Sequence, residues 1–329
     1  MSYNRENYIR IKREFEEKRR KAQDEADRRR EDLHEKHREL AQIDRALSET
    51  GSRIFAETMR GKDGLERRME AVRLETQELS SARDEWMTSH GFDSGYTDPD
   101  YQCKICSDTG AIGFEMCVCF RRELVKAGYE SSGIGKLIKT QRFESFDLSY
   151  YADDPTAMES MRKNLGVCKN YAATFSASQR ANLLLRGNTG LGKTHLSTAM
   201  AKVIIERGYD VVYETAQNIF SDFETERFTR SYDNYDADEK PSRRYFDCDL
   251  LIIDDLGTEL SNQFTISCLY NIINTRINYD RSIIINTNLP WDELRRRYSD
   301  RITSRLLGEC MPLLFTGKDV RAEKLKTGK

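Results

Sequence analysis

The sequence predicts an α/β chain: a parallel sheet around a phosphate-binding loop, flanked by helices and preceded by an α-helical, coiled-coil-like region and a small zinc module. Three observations predict this. A segment matching G-x-x-x-x-G-K-[ST], Gly187 to Thr194, lies between a short apolar run and a helical pattern. From Ala181 onward, apolar runs alternate with helical stretches, as a parallel sheet with crossover helices requires. From Asn4 to Thr88, charged residues dominate, proline is absent, and apolar residues recur at helical spacing. The expected partition is 1–90 helical, 91–130 zinc-binding and 131–329 nucleotide-binding.

In the first region, Tyr8, Ile11, Phe15, Ala22, Ala26, Leu33, Leu40, Ile43 and Leu47 form one narrow stripe. Gly51, Gly61 and Gly64 interrupt it. A turn is expected near Arg60–Gly64, with a return helix through Leu65, Met69, Val72, Leu79 and Trp86. Such a region either spaces domains or docks a partner protein. The turn-rich segment His90–Asp100 closes it.

The 53 basic and 55 acidic residues give a net charge of −2, so nucleic acid must be gripped by a local patch, not by bulk charge. An apolar run of membrane-spanning length and a signal-peptide pattern are both missing, so the chain is expected in the cytoplasm with no membrane partner. Eight cysteines in a reducing compartment do not read as a disulfide framework. Four of them, Cys103, Cys106, Cys117 and Cys119, are spaced x₂, x₁₀ and x, with Gly110 and Gly113 between the pairs. Four thiolates fill a tetrahedral zinc shell and leave no position for water, the pattern of a structural site. Cys168, Cys248, Cys268 and Cys310 lie in apolar or helical stretches and read as core thiols.

A short helix is expected at about Arg121–Tyr129, followed by a polar link through Gln141. ANLLLRG is then a strand ending in Gly187, Thr194–Arg207 a helix, DVVYET a second strand and CDLLIIDDLG a third. Helix 262–278 follows, and RSIIINTNLP is the fourth strand. The polar stretch Arg230–Ser242 reads as a loop.

The chemistry follows from these positions. The cofactor-binding stretch is Gly187, Asn188, Thr189, Gly190, Leu191, Gly192, Lys193, Thr194 and His195, the last read mainly as packing. Its glycines let the backbone curl until successive N–H groups face phosphate oxygens, and the helix N-terminus adds its dipole. Lys193 reaches the β- and γ-phosphates of ATP, and Thr194 and Asp254 hold Mg²⁺. Asp255 orients or deprotonates the attacking water. Asn288, at the tip of the fourth strand, touches the γ-phosphate or that water. Arg295–Arg297, Arg301 and Arg305 form a basic helix; Arg301 and Arg305, four apart, share a face.

These segments together resemble the AAA+ ATPases, and more narrowly the DnaC/DnaI class of bacterial replicative helicase loaders. The residues that carry the resemblance are GNTGLGKTHL, VVYETAQNIF, CDLLIIDDLG, INTNLP and DRITSRL, with RFESFDLSYY upstream as a lead-in strand and adenine-side region. YQCKICSDTGAIGFEMCVC looks like the zinc module of the DnaI branch. The resemblance covers roughly residues 90–325. It implies Walker A at Lys193 and Thr194, Walker B at Asp254 and Asp255, sensor 1 at Asn288, and an arginine finger at Arg305. Arg321 falls near a late arginine that senses nucleotide. An insertion at about Phe220–Tyr245, with Phe223, Arg227, Phe228, Arg230 and Tyr232, would meet single-stranded DNA. The implied partners are a hexameric replicative helicase, single-stranded DNA and further copies of the ATPase domain. Position 255 is Asp where Glu is common in the family, which favours a slow switch. Few residues follow Arg305, so no helical lid domain is expected. Two other readings compete: an IstB-like transposition helper ATPase, and a non-hydrolysing nucleotide-gated adaptor.

Overall fold

The computed structural model describes residues 3–59, 64–135, 137–229 and 241–327. They form two compact units, Lys12–Phe120 and Met1–Ile11 with Arg121–Lys329.

The helical part comprises α1 (Arg5–Lys36), α2 (Arg38–Met59) and α3 (Leu65–Ser89). A single helix was expected up to the glycines. The chain instead breaks at His37, and Asp44 fastens the bend by accepting from Arg83 Nε at 2.8 Å while lying 2.7 Å from His34 Nε2. Phe15, Ala26, Leu33 and Leu40 of the apolar stripe are buried, whereas Tyr8 is exposed. Gly51 does not interrupt the helix; it sits inside α2. Residues 60–63 of the expected turn lie outside the described residues, and Gly64, at φ +69°, starts α3. On α3, Val72, Trp86 and Met87 are buried. A two-stranded ribbon follows, β1 (Ala111–Ile112) and β2 (Glu115–Met116), paired antiparallel.

The larger unit contains most of α4 (Val118–Ser131), then α5 (Leu137–Thr140) and α6 (Pro155–Thr174). Between α5 and α6 the expected lead-in strand is replaced by two 3₁₀ turns, Phe143–Ser145 and Leu148–Tyr151. The reason is local: Ser145 Oγ accepts from Arg142 N, and Asp147 accepts from Ser149 N. Such side-chain bonds to backbone compete with strand pairing.

The sheet is built from β3 (Leu183–Arg186), β4 (Val211–Thr215), β5 (Leu250–Leu256), β6 (Ser282–Thr287) and β7 (Met311–Leu314), all parallel, in the order β4-β5-β6-β3-β7. Its helices are α7 (Lys193–Glu206), α8 (Ala216–Thr229), α9 (Arg244–Asp247), α10 (Gln263–Asn278), α11 (Trp291–Glu309) and α12 (Val320–Thr327). β6 is buried throughout and β5 nearly so, because helices cover both faces. One apolar cluster joins α6 and α7 to the sheet, and the other joins α8, α10 and α11. Each fully buried Leu or Ile contributes about 1.5–3 kcal/mol, which is what holds the strand tips in place. The four scattered cysteines are buried in these layers, as expected.

Arg276 of α10 is buried, and among the described residues no carboxylate is in hydrogen-bond contact with it. It donates to the carbonyls of Tyr245, Phe246, Cys248, Asp249 and Ser282 at 2.6–3.4 Å and so ties together the entries of β5 and β6. β7 and α12, which the sequence reading did not anticipate, fill the segment after Arg305. Among the described residues, no helix is long and apolar enough to cross a membrane.

Candidate nucleotide site

Leu183–Arg186 is apolar enough to be a central strand, and it hands the chain to Gly187 at the sheet's C-terminal edge. Gly187 has φ +154°, and a Cβ there would lie 2.2 Å from the Phe315 carbonyl oxygen, so only glycine fits. Gly190 and Gly192 also take positive φ, and the loop then opens α7 beside a cavity of about 320 Å³, the position in which a helix N-terminus favours an anion. Thr189–His195, Asp255, Asn288 and Arg321 line that cavity. Phe146, between the two 3₁₀ turns, and Tyr150 and Tyr151 of the second also line it; Tyr151 OH donates to Leu191 O at 3.0 Å. His195 packs edge-on to Phe146, with its Nε2 2.8 Å from Arg142 O, and also lines the cavity.

Lys193 is 5 % exposed. Its ammonium donates to Gly187 O (2.7 Å), Asn188 O (2.7 Å) and Asn288 Oδ1 (2.5 Å). Burial pulls its pKa down to about 8, with Arg321 adding to the fall and Asp255 and Asp254 opposing it. A buried ammonium resting on carbonyls fits a site built to receive phosphate, whose charge would compensate it better. Asp254, 4 % exposed, ends the apolar part of β5 beside Thr194: the Thr194 hydroxyl lies 3.1 and 3.3 Å from its two carboxylate oxygens. This hydroxyl–carboxylate pair is a hard-oxygen donor set suited to Mg²⁺. Asp255 lines the cavity at φ +53°, and burial, then the charge of Asp254, raises its pKa.

The structure therefore brings together the loop, Lys193, Thr194, Asp254, Asp255 and Asn288. It does not bring Arg305 to this cavity: that guanidinium lies over the Tyr270 ring at 5.9 Å. Arg301 is exposed on the same half of α11, beyond a break at Ser299 (φ +78°). In the insertion, Phe223 packs against Tyr245 and Phe246, and exposed Arg227 lies over Phe264. Phe228 is exposed, and Arg230 and Tyr232 lie outside the described residues. Sequence reasoning missed two groups that hold Asp254, Tyr213 of β4 and Asn286 of β6. Asn286, a polar residue directly after the apolar run Ile283–Ile285, was the available signal.

A family model described as "IstB-like ATP binding protein" matches residues 131–323. The chain belongs to this family. Within it, the chain is an AAA+ P-loop ATPase of the IstB/DnaC kind. It is 25 % identical over 191 residues to the replicative helicase loader DnaC of Buchnera aphidicola subsp. Baizongia pistaciae, covering 58 % of this chain and 73 % of that one. The chromosomal replication initiator DnaA of Campylobacter jejuni subsp. doylei is 31 % identical over 161 residues, covering 47 % of this chain and 34 % of its own. A crystal structure of the DnaC helicase loader aligns over 55 % of this chain and all of its own, at 19 % identity and a TM-score of 0.47.

In the smaller unit, the Sγ atoms of Cys103, Cys106, Cys117 and Cys119 lie within 4.8 Å of one another, with Cys103–Cys117 at 3.9 Å and Cys106–Cys119 at 3.5 Å. Tetrahedral thiolates at a Zn–S length of ~2.3 Å stand ~3.8 Å apart, so the set fits zinc. Asp108 accepts from the N–H groups of Gln102 and Cys103, both at 2.8 Å, and so shapes the first knuckle. The N–H of Cys106 is the largest influence that pulls the Cys103 thiol down to about 7, while burial first and the neighbouring thiols next push Cys119 up.

Proposed function

We propose that this chain is an ATP-dependent helicase loader, which binds a hexameric replicative helicase and delivers it to single-stranded DNA under the control of a slow ATP switch. The observation that carries the reading is the Lys193 ammonium held between loop carbonyls and Asn288, beside the Asp254–Asp255 pair. Similarity to DnaC over 73 % of that loader's length supports the replication role. Bound Mg-ATP would supply the cleavable phosphoryl bond. Loop N–H groups and Lys193 would hold its phosphates, Thr194 and Asp254 its metal, and Phe146, Tyr150 and Tyr151 would enclose its base. Asp255 would orient water, and its raised pKa suits a group that takes a proton. Arg305, outside its own chain's cavity, would serve a neighbouring copy in a self-associated form. The four-cysteine site would hold structural zinc that folds a segment too small for its own core. Such a loader would work in the cytoplasm.

The family description favours a second reading, an IstB-like transposition helper. The left-handed backbone and shorter acid at Asp255 keep a third, a nucleotide-gated adaptor that does not hydrolyse ATP. The test is capture of purified replicative helicase by the full chain in ATP and in ADP, with Lys193→Ala and Asp254→Ala as controls. ATP-dependent capture lost in both variants is expected. Capture indifferent to both variants sinks the ATP switch, and absence of capture with ATPase stimulation by a transposase favours the second reading.

A further inference from the structure

Asp254 is held from both neighbouring strands. From β4, Tyr213 OH donates to Oδ2 at 2.5 Å; from β6, Asn286 Nδ2 donates to Oδ1 at 2.7 Å. One oxygen is therefore pinned by each strand, and Thr194 faces both. Tyr213 pairs in register with Ile252, two residues before Asp254, so its phenol bridges two residues of strand rise, about 6.6 Å. A short hydroxyl at 213 would not reach. Asn286 lies where the β5–β6 register shifts, between Ile253 and Leu256.

The orientation of the Asn286 amide is forced. Its nitrogen also donates to Ser197 Oγ at 2.8 Å, and its buried Oδ1 has no partner among the described residues. A flipped amide would set that oxygen against the Asp254 carboxylate, so the orphan oxygen is what the donor role costs. Ser197 donates in turn to Thr194 O at 3.1 Å, which links the amide to the turn that carries Thr194.

We infer that Tyr213 and Asn286 are positioning residues that fix the direction in which Asp254 presents its carboxylate to nucleotide-bound magnesium, and so set the metal dependence of the site. The inference rests on the nucleotide reading above. Partners that orient metal ligands typically change metal affinity about 10–100-fold when removed.

The test uses the full chain and a fluorescent adenine nucleotide, titrated in EDTA and again in excess Mg²⁺. Tyr213→Phe deletes one oxygen, and Asn286→Ala probes the opposite strand. Each variant is expected to bind within about threefold of wild type in EDTA, to lose about tenfold of the tightening that Mg²⁺ gives, and to need about tenfold more Mg²⁺ for half-saturation. Unchanged Mg²⁺ dependence in both variants overturns the clamp. Affinity lost equally in EDTA and Mg²⁺ also overturns it, by showing a packing role. A wild-type chain that binds in neither buffer removes the nucleotide reading and the clamp with it.

Discussion

Raising the pH should weaken nucleotide binding through Lys193 alone. Its folded pKa of about 8 lies below the ordinary lysine value of 10.5, because the ammonium is buried among carbonyls. Phosphate oxygens favour the charged form, so binding takes up a proton wherever the empty site has lost one. The protonated fraction falls from about nine-tenths at pH 7 to about one-tenth at pH 9. Affinity should therefore drop about tenfold between those values, about 1.4 kcal/mol, whereas a lysine at its ordinary value would change it by a few per cent. The same shift has a sign for stability. Between about pH 8 and 10.5 the unfolded chain binds the lysine proton and the folded chain does not, so this residue's contribution rises with pH in that window. Titration calorimetry with saturating Mg²⁺, in buffers of different ionisation enthalpy, reads both affinity and proton uptake. Affinity flat from pH 7 to 9 with no proton uptake would refute the argument.

Three further outcomes follow. Arg276→Met should lower the free energy of unfolding by about 3–5 kcal/mol in urea titration, since it takes the shared donor from five carbonyls, four of them buried, and each unsatisfied buried group costs about 1–3 kcal/mol; a loss under about 1 kcal/mol would contradict it. Gly187→Ala should cost about 2–4 kcal/mol and abolish nucleotide binding, because the added Cβ meets the Phe315 backbone and not a movable side chain. Metal analysis should find about one zinc per chain, lost in Cys106→Ser with Cys117→Ser, and a chain that keeps its zinc in that variant refutes the four-cysteine assignment.

Much of the nucleotide site was legible in the sequence because its chemistry is local. Gly187 to Thr194 is contiguous, and β5 announces itself as an apolar run that ends in two aspartates. Positions set by long-range packing were not legible. The bend at His37 depends on Asp44 meeting Arg83, 39 residues away. Tyr213 looked like one more apolar strand residue until β4 and β5 came into register. The turns at 143–151 were misread as a strand because their side-chain caps outweigh an aromatic-rich pattern. β7 is short, and its burial is confined to Leu313, too weak a pattern to separate from a tail.

The decisive measurement is equilibrium binding of Mg-ATP to the purified full chain, beside Lys193→Ala. Saturation at about one nucleotide per chain, weakened at least about tenfold by the substitution, is what a buried ammonium in a phosphate loop requires. A folded wild-type chain that takes up no adenine nucleotide, or one whose affinity ignores position 193, would contradict the account at its root.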